Sequence, residues 1–168
     1  MKNIALVGFM GTGKSVIAKR ISRRLKMKYV STDSIIEAKE KRPINEIFTK
    51  DGEPYFRIVE REAVREVSAM ENCVVAAGGG VVLNEDNMAD LRKGGIIVCL
   101  NASAKDVYER TKSYANRPLL NVPDPLAKIK ELMDKRELYY KKADYQVETS
   151  SKTVDEVVDE VIAIWERA

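Results

Sequence analysis

The stretch that most constrains this chain is Gly-Phe-Met-Gly-Thr-Gly-Lys-Ser, which runs from Gly8 to Ser15. It fits the pattern G-x-x-x-x-G-K-[ST], in which a glycine-rich loop joins a strand to a helix. The run Ile4–Val7 before it is short and apolar, as in a buried parallel strand, and residues 16–25 after it mix apolar and basic side chains at helical spacing. The context is therefore that of a phosphate-binding P-loop.

The residue types of this loop suit a polyphosphate ligand. Glycines at positions 8, 11 and 13 let the backbone turn its N–H groups inward, and the start of the next helix adds its positive dipole end. We expect Lys14 to reach the β- and γ-phosphates and the Ser15 hydroxyl to bind Mg²⁺. A glycine-rich turn without a ligand is the alternative, but the four fixed positions and their context favour nucleotide binding.

Composition limits the other classes. The 168 residues fit one domain, and the net charge of +3 comes from basic residues scattered among acidic ones, so no nucleic-acid partner is expected. Because no apolar run approaches the ~20 residues of a membrane span, we expect no membrane association and a cytoplasmic location, and we expect a monomer.

Cys73 and Cys99 fall in predicted strands and form no C-x-x-C pair, which favours buried free thiols. The chain has no histidine, so a general base is expected to be a carboxylate.

Strand and helix patterns alternate along the chain. Five apolar runs are predicted strands, at residues 4–7, 28–32, 73–77, 96–100 and 145–148. Helical patterns lie between them, with a stop at Asp51-Gly52 separating helices 44–50 and 53–70, and with a turn at Gly94-Gly95. This alternation predicts an α/β fold in which a parallel sheet is covered by helices on both faces, within a single domain over residues 1–168.

Ligands of open parallel sheets bind at the carboxyl ends of the strands. Asp33 follows the second strand and is a candidate to accept a proton from a hydroxyl, although either it or Thr32 also suits the N-cap of the next helix. The third strand ends in Gly78-Gly79-Gly80, which has a simple interpretation as a tight turn. One glycine suffices for most turns, so three in succession indicate that backbone or ligand approaches closely.

Three arginines have two interpretations each. Arg57 is on a predicted helix, Arg117 precedes a proline in the aperiodic segment 113–125, and Arg136 is on a later helix. Each alone is typical of a surface charge. Guanidinium groups also bind carboxylates through two hydrogen bonds, and a loop arginine can close on a transferring phosphoryl group.

Taken in order, these motifs resemble those of shikimate kinases. The matching features are the P-loop, the Thr32-Asp33 step, Phe56-Arg57 followed by Glu60, Gly78-Gly79-Gly80, Arg117-Pro118-Leu119-Leu120 and Arg136-x-x-Tyr139. The resemblance covers essentially the whole chain, and the ordered set is far more specific than any single motif after the P-loop. It implies a three-layer P-loop kinase fold of the nucleoside-monophosphate-kinase type with a five-stranded parallel sheet. It also implies transfer of the γ-phosphate of ATP, with Mg²⁺, to the 3-hydroxyl of shikimate, on the route to chorismate and the aromatic amino acids.

The resemblance further implies roles for individual residues. The implied ATP-binding residues are Gly11, Thr12, Gly13, Lys14, Ser15, Val16, Arg110, Arg117 and Ser151. The implied shikimate-binding residues are Asp33, Arg57, Glu60, Gly78, Gly79, Gly80 and Arg136. Lys14, Asp33 and Arg117 would be catalytic, with Asp33 as the candidate base and Arg117 on a lid. Arg57 and Arg136 would clamp the substrate carboxylate while Glu60 holds Arg57, within substrate-binding helices at about 33–61 and under a lid loop at about 112–125.

One position departs from the family pattern. Many shikimate kinases have Asp-x-Asp at the end of the second strand, where the first aspartate holds Mg²⁺ through water, whereas this chain has Ser31-Thr32-Asp33. Ser31 can hydrogen-bond a metal-bound water but brings no negative charge. We therefore expect weaker metal binding, or help from another carboxylate.

Two other functions are compatible with a P-loop. One is a kinase of the same fold with another small substrate, such as gluconate kinase. The discriminating feature is the combination of Arg57, the triple glycine and Arg136, which a nucleoside-monophosphate kinase would not place in this way. A nucleotide-dependent switch is disfavoured because the sequence has no N/T-K-x-D motif for guanine recognition and no exposed interaction tail.

Overall fold

The computed structural model describes residues 2–114 and 117–168. Within them, the strands are β1 Asn3–Val7, β2 Lys28–Ser31, β3 Cys73–Ala76, β4 Gly95–Asn101 and β5 Tyr145–Glu148. The α-helices are α1 Lys14–Leu25, α2 Thr32–Glu40, α3 Ile44–Ser68, α4 Glu85–Gly94, α5 Ala104–Thr111, α6 Pro125–Tyr140 and α7 Val154–Arg167. Short 3₁₀ turns lie at Val81–Leu83 and Pro118–Leu120.

The strands form one sheet in the order β2-β3-β1-β4-β5, and every neighbouring pair is parallel. The predicted five-stranded parallel sheet is thereby confirmed. All of β1 is buried, and its side chains alternate between two apolar clusters, with Ile4 and Leu6 in one and Ala5 and Val7 in the other. A strand that is apolar on both faces needs cover on both, which explains why this central strand reads as a continuous apolar run.

Helices supply that cover on each face. On one face, α1 and α7 pack residues such as Ile21 and Val161 against the sheet. On the other face, α3 to α6 contribute residues such as Val64 and Ile129 to the larger cluster. The three-layer arrangement predicted from the alternation of strands and helices is therefore also confirmed.

The predicted stop at Asp51-Gly52 is confirmed as a sharp break within α3, which consists of two helical halves joined at Gly52. Gly52 lies there at φ 81° and ψ 170°, a conformation that glycine adopts without strain, and the helix resumes immediately. Polar side chains connect the two halves to the end of α2. Arg42 pairs with both Asp51 and Glu40, and the Tyr55 hydroxyl donates to Glu40 Oε1 at 2.9 Å. These contacts fix the orientation of α2 against both parts of α3.

Two local predictions were wrong. The turn predicted at Gly94-Gly95 is absent, because α4 ends at Gly94 and β4 begins at Gly95, which pairs with Asn3 so closely that a β-carbon would collide with the Asn3 backbone. The glycine thus permits strand pairing rather than a turn. The N-cap of α2 is Ser31, whose Oγ accepts from the Ser34 N–H at 3.2 Å. Neither Thr32 nor Asp33 caps the helix, because both lie within its first turn.

The predictions about cysteines are confirmed. Cys73 and Cys99 are both buried and form no disulfide. Burial raises the pKa of the Cys99 thiol to about 12, which makes it a packing residue rather than a nucleophile. None of the helices in the described residues combines the length and apolar character needed to cross a bilayer.

Candidate active site

Two of the cavities that border the P-loop, at the edge of the sheet where the parallel strands end, contain most of the predicted site residues. The first, which we call the arginine cavity, has a volume of about 280 Å³ and is lined by residues that follow β2 and β3. The second, which we call the threonine cavity, has about 220 Å³ and is lined by Thr12, Thr149 and Thr153 together with apolar residues of α1 and α7. The P-loop lies at the end of the central strand and contributes residues to both.

The P-loop has the backbone conformation that its glycines predict. Gly11 and Gly13 have φ angles of 78° and 92°, which disfavour residues with a β-carbon. The Lys14 ammonium extends back over the loop and donates to the carbonyl oxygens of Gly8 and Phe9 at 2.8 and 2.9 Å. Burial lowers the pKa of Lys14 to about 8, although nearby Asp33 opposes this change. Two neutral carbonyl oxygens thus hold the lysine over the loop, and a negatively charged phosphate would attract its ammonium group more strongly.

Two other residues of the P-loop, Thr12 and Ser15, differ in their exposure to solvent. Thr12 is 1% exposed and its hydroxyl donates to the Phe9 carbonyl at 2.8 Å, so its side chain stabilises the loop. Ser15 is exposed on the first turn of α1, and Val16 beside it is 53% exposed and lines the threonine cavity. Only the hydroxyl of Ser15 is therefore open to a ligand here.

The arginine cavity brings together every residue that the resemblance assigns to substrate. They are Asp33, Arg57, Glu60, Gly78, Gly79, Gly80 and Arg136, and Arg117 joins them. These residues come from α2, α3, α6, the loop after β3 and the segment before the second 3₁₀ turn. The structure therefore assembles one site from segments that are far apart in sequence.

Asp33 is the carboxylate of this cavity whose charge most affects the P-loop lysine, Lys14. Burial raises its pKa above the ordinary value, and the charges of Lys14 and Arg117 oppose the change. Because Ser31 caps α2, the carboxylate of Asp33 has no capping role to explain it. A partly buried carboxylate with a raised pKa is suited to accept a proton from a hydroxyl.

Charged side chains of the protein itself approach two of the three glycines closely. A β-carbon at position 78 would lie 3.0 Å from both Asp33 Oδ1 and Glu60 Oε2, and one at position 80 would lie 2.6 Å from Cζ of Arg57. The Gly78 N–H donates to Thr32 Oγ1 at 3.0 Å, which holds the loop against α2. The expected close approach is real, and the approaching groups are candidate site residues.

Arg57 is held by two carboxylates. Its Nη1 donates to Glu60 Oε1 and its Nη2 to Glu53 Oε1, both at 2.9 Å. Glu60 is only 1% exposed, and its second oxygen, Oε2, has no hydrogen-bond partner among the described residues. Burial raises the pKa of Glu60 and the adjacent Arg57 opposes this. The pair fixes the guanidinium plane at the cavity wall.

Among the described residues, neither Arg136 nor Arg117 forms an ion pair, whereas Arg57 pairs with two carboxylates. Arg136 is 4% exposed, and its guanidinium carbon lies 5.8 Å from the centre of the Phe9 ring. The Nε of Arg117 is buried without a hydrogen-bond partner among the described residues. Buried guanidinium groups need anionic partners, so the cavity suits a ligand with a carboxylate or phosphoryl group.

The remaining wall is apolar. The rings of Phe48 and Phe56 lie 4.6 Å apart between centroids, and Ile44, Pro118 and Leu119 complete this side. Phe48 and Phe56 both line the cavity. A small ring that carries a carboxylate and hydroxyl groups matches such a combination of charged and apolar walls.

The arginine cavity is in direct contact with the P-loop. A β-carbon at Gly79 would lie 3.4 Å from the Met10 nitrogen and 3.6 Å from the Gly8 carbonyl oxygen. Gly79 therefore packs against the backbone that would hold the phosphates. A hydroxyl bound in the cavity and a phosphoryl group bound to the loop would be neighbours.

The threonine cavity is lined by only some of the residues predicted to bind ATP. Thr12, Gly13, Val16 and Arg110 line it, and Arg110 donates to the Gly11 carbonyl at 3.2 Å and to Thr149 Oγ1 at 3.3 Å. Ser151 does not line it; the neighbouring Lys152 and Thr153 do. Ser151 has a φ angle of 67°, so it shapes the loop before α7.

The predicted lid loop at about 112–125 is only partly described. Its residues Ala115 and Asn116 lie outside the described residues. After them, the loop forms the 3₁₀ turn Pro118–Leu120, and α6 begins at Pro125. Arg117, Pro118 and Leu119 line the arginine cavity from this segment.

The sequence analysis missed two residues of the site. Glu37 lines the arginine cavity one helical turn after Asp33, and its Oε1 accepts from the Ile44 N–H at 3.1 Å. Tyr140, one turn after Arg136, donates from its hydroxyl to the Gly79 carbonyl. Four-residue spacing from Asp33 on the helix was the available signal for Glu37.

Comparison with known proteins agrees with this geometry. The family model described as shikimate kinase matches residues 10–166. A shikimate kinase of Caldanaerobacter subterraneus subsp. tengcongensis is 44% identical over 162 residues, which cover 96% of this chain and 95% of the relative. The crystal structure of shikimate kinase from Acinetobacter baumannii in complex with shikimate superposes with a TM-score of 0.94 at 32% identity, covering 98% of this chain and 92% of that one. A gluconokinase from Sinorhizobium meliloti 1021 has a TM-score of 0.67 at 20% identity over 99% of this chain and 92% of its own, which shows a shared fold only. The chain belongs to the shikimate kinase family.

Proposed function

We propose that this chain transfers the γ-phosphate of ATP to the 3-hydroxyl of shikimate, giving shikimate 3-phosphate and ADP, as a step of chorismate and aromatic amino acid biosynthesis. Family membership supports the reaction class. The single structural observation that carries the proposal is the contact between Gly79 of the arginine cavity and the backbone of Gly8 and Met10. This contact supports the proposal because a cavity suited to a hydroxy acid lies directly beside a loop suited to phosphates.

On the acceptor side, we assign substrate binding to the charged residues of the arginine cavity. Arg57 and Arg136 would bind the carboxylate of shikimate, and Glu60 would keep the guanidinium of Arg57 in place. Asp33 would orient the 3-hydroxyl and accept its proton as the oxygen attacks. The raised pKa of Asp33 supports this role because it brings the basicity of the carboxylate closer to that needed at neutral pH.

On the donor side, the residues would neutralise charge and hold the nucleotide. The amides of Gly11, Thr12 and Gly13 and the Lys14 ammonium would surround the phosphates, and Arg117 would balance the charge that develops on the transferring group. Val16, Arg110 and the loop with Ser151 would contact the nucleoside. Little covalent chemistry remains for the protein, so the rate would depend mainly on positioning.

Magnesium fits the residues that are present. Among the described residues no group of three histidine, cysteine or acidic side chains could hold a metal by itself. Mg²⁺ usually takes one or two protein ligands and completes its shell with phosphates and water, so the exposed Ser15 hydroxyl beside Lys14 is a suitable ligand. Ser31 would assist through water, since its Oγ accepts from Ser34 but keeps its own proton to donate. The bound ion would offset the negative charge of the β- and γ-phosphates.

A single chain is sufficient to form the arginine cavity, so the proposal needs no partner subunit. The interleaved charges of the sequence give no extended basic surface for nucleic acid. We accordingly propose a cytoplasmic monomer that takes ATP and shikimate as its partners.

The decisive experiment is an ADP-release assay with a panel of acceptors. Purified protein, ATP and Mg²⁺ are combined with shikimate, gluconate or a nucleoside monophosphate, and ADP formation is followed by a coupled reaction. Rapid release only with shikimate is expected. Comparable turnover of gluconate or a nucleoside monophosphate would replace the proposed acceptor, whereas ATP binding that responds only to a protein partner would favour a switch.

A further inference from the structure

Tyr140, in the last turn of α6, contacts the Gly78–Gly80 loop from the side opposite the arginine cavity. Its hydroxyl donates to the Gly79 carbonyl at 2.6 Å. Tyr140 is 7% exposed, and burial raises its pKa to about 12, so the hydroxyl keeps its proton at neutral pH. Among the described residues, no other donor reaches that carbonyl.

This contact fixes more than one oxygen. The Gly79 carbonyl and the Gly80 N–H belong to the same planar peptide unit, and the described residues contain no cis peptide bond. The Gly80 N–H must then point opposite to the Gly79 carbonyl, away from Tyr140. Gly80 lines the arginine cavity, whereas Tyr140 lines a separate cavity with Phe9 and Gln146.

The Gly80 N–H has no acceptor within residues 2–114 and 117–168. Gly80 itself is buried, and a buried N–H without a partner is costly, so a ligand oxygen would be a favourable acceptor. Glycines on both sides allow the peptide unit to rotate with little steric cost. If it turned over, the cavity would receive a carbonyl oxygen, which cannot donate to a substrate oxygen.

We propose that Tyr140 is a positioning residue that locks the Gly79–Gly80 peptide so that the Gly80 N–H donates to an oxygen of the bound hydroxy acid. The inference rests on the proposed function, because it takes shikimate as the occupant of the arginine cavity. The neighbourhood supports it: a β-carbon at Gly79 would lie 3.8 Å from Arg136 Nη1, and one at Gly80 would touch the Arg57 guanidinium. The Gly79–Gly80 peptide thus lies near both of the arginines that favour an anionic ligand.

The test compares Tyr140→Phe with Tyr139→Phe. Both changes remove one hydroxyl from adjacent tyrosines, but Tyr139 packs against the core with the Lys142 ammonium 5.6 Å from its ring centre and does not reach the loop. For Tyr140→Phe we expect the KM for shikimate to rise about tenfold, as for loss of one well-aligned hydrogen bond, while the KM for ATP and kcat change less than about twofold. Tyr139→Phe should leave all three constants unchanged.

A lower melting temperature of Tyr140→Phe with an unchanged KM for shikimate would overturn the proposal, since the contact would then be merely structural. A second measurement needs no variant. The chain has nine glycines, so labelling only glycine with ¹⁵N gives a small set of amide signals. Shikimate should move the Gly80 amide proton downfield, and the absence of that shift at saturation would also overturn the proposal. If the unmodified protein does not phosphorylate shikimate, both proposals fail; if it does and Tyr140→Phe behaves like it, only this one fails.

Discussion

The P-loop and the arginine cavity meet at Gly79, yet they are built in different ways. The P-loop is one run of eight residues, and its shape depends on glycine conformation and on backbone groups. The arginine cavity takes side chains from five separate segments, and most of its polar atoms belong to ionisable groups. A local motif can therefore specify the phosphate site, whereas the acceptor site exists only after the sheet and helices have assembled.

The difference extends to electrostatics. In the arginine cavity, burial raises the pKa of both Asp33 and Glu60, and nearby arginines and Lys14 limit the change. Each ionised group there is stabilised by neighbouring groups of opposite charge, so removal of one group changes the pKa values of the others. In the P-loop, Lys14 is the one buried side-chain charge of the described loop residues, and its partners are two carbonyl oxygens. Changes to the two regions should consequently separate acceptor chemistry from nucleotide binding.

The largest expected effect comes from Asp33→Asn. Loss of the base should reduce kcat with shikimate by about 10²- to 10⁴-fold, because the amide cannot accept the hydroxyl proton. ATP affinity, measured by calorimetry at pH 7, should stay within a fewfold of the unmodified protein, since the P-loop is left intact.

Glu37→Gln is the matched comparison for that variant. Glu37 lines the same cavity one helical turn later, and a glutamine can still accept from the Ile44 N–H. We expect less than about a tenfold loss of kcat, because this carboxylate is not assigned to proton transfer. Equal losses from the two variants would mean that total negative charge matters and that Asp33 is not the base.

The same contrast explains how much the sequence could predict. The P-loop and the alternation of strands and helices that builds a parallel sheet follow from contiguous patterns, and the departure at Ser31 is visible directly. The cap of α2 was misassigned because Ser31, Thr32 and Asp33 are all good N-cap residues, and only the position at which β2 ends decides among them. Tyr140 was missed because its partner, the Gly79 carbonyl, is 61 residues away, and no local pattern reports such a hydrogen bond.

A pH experiment examines the buried charge of the P-loop. With the pKa of Lys14 lowered to about 8 by burial, the nucleotide-free protein loses this positive charge as the pH rises through 8. Values of kcat/KM for ATP report the free protein and should fall about tenfold per pH unit above that point. At saturating ATP the phosphates favour the charged lysine, so kcat should remain level over the same range.

Lys14→Arg provides the control for this pH profile. An arginine keeps its charge throughout the range, so the decline in kcat/KM above pH 8 should disappear even if the variant is slower overall. An unchanged decline in the variant would assign it to another group and would remove Lys14 as the titrating residue of the P-loop.

The smallest expected effect concerns Ser31, the last residue of β2. We propose that it assists Mg²⁺ binding between the P-loop and the arginine cavity. In Ser31→Asp the carboxylate can still accept from the Ser34 N–H, because aspartate is as good an N-cap as serine, so the start of α2 should not change. The added negative charge should attract a metal-bound water, and the Mg²⁺ concentration for half-maximal activity should fall about fivefold, in keeping with about 1 kcal/mol for a partly exposed charge. Ser31→Asn is the control, since it keeps the cap without the charge and should leave the Mg²⁺ requirement unchanged. If both variants lower the requirement equally, then hydrogen bonding rather than negative charge decides metal binding at this position.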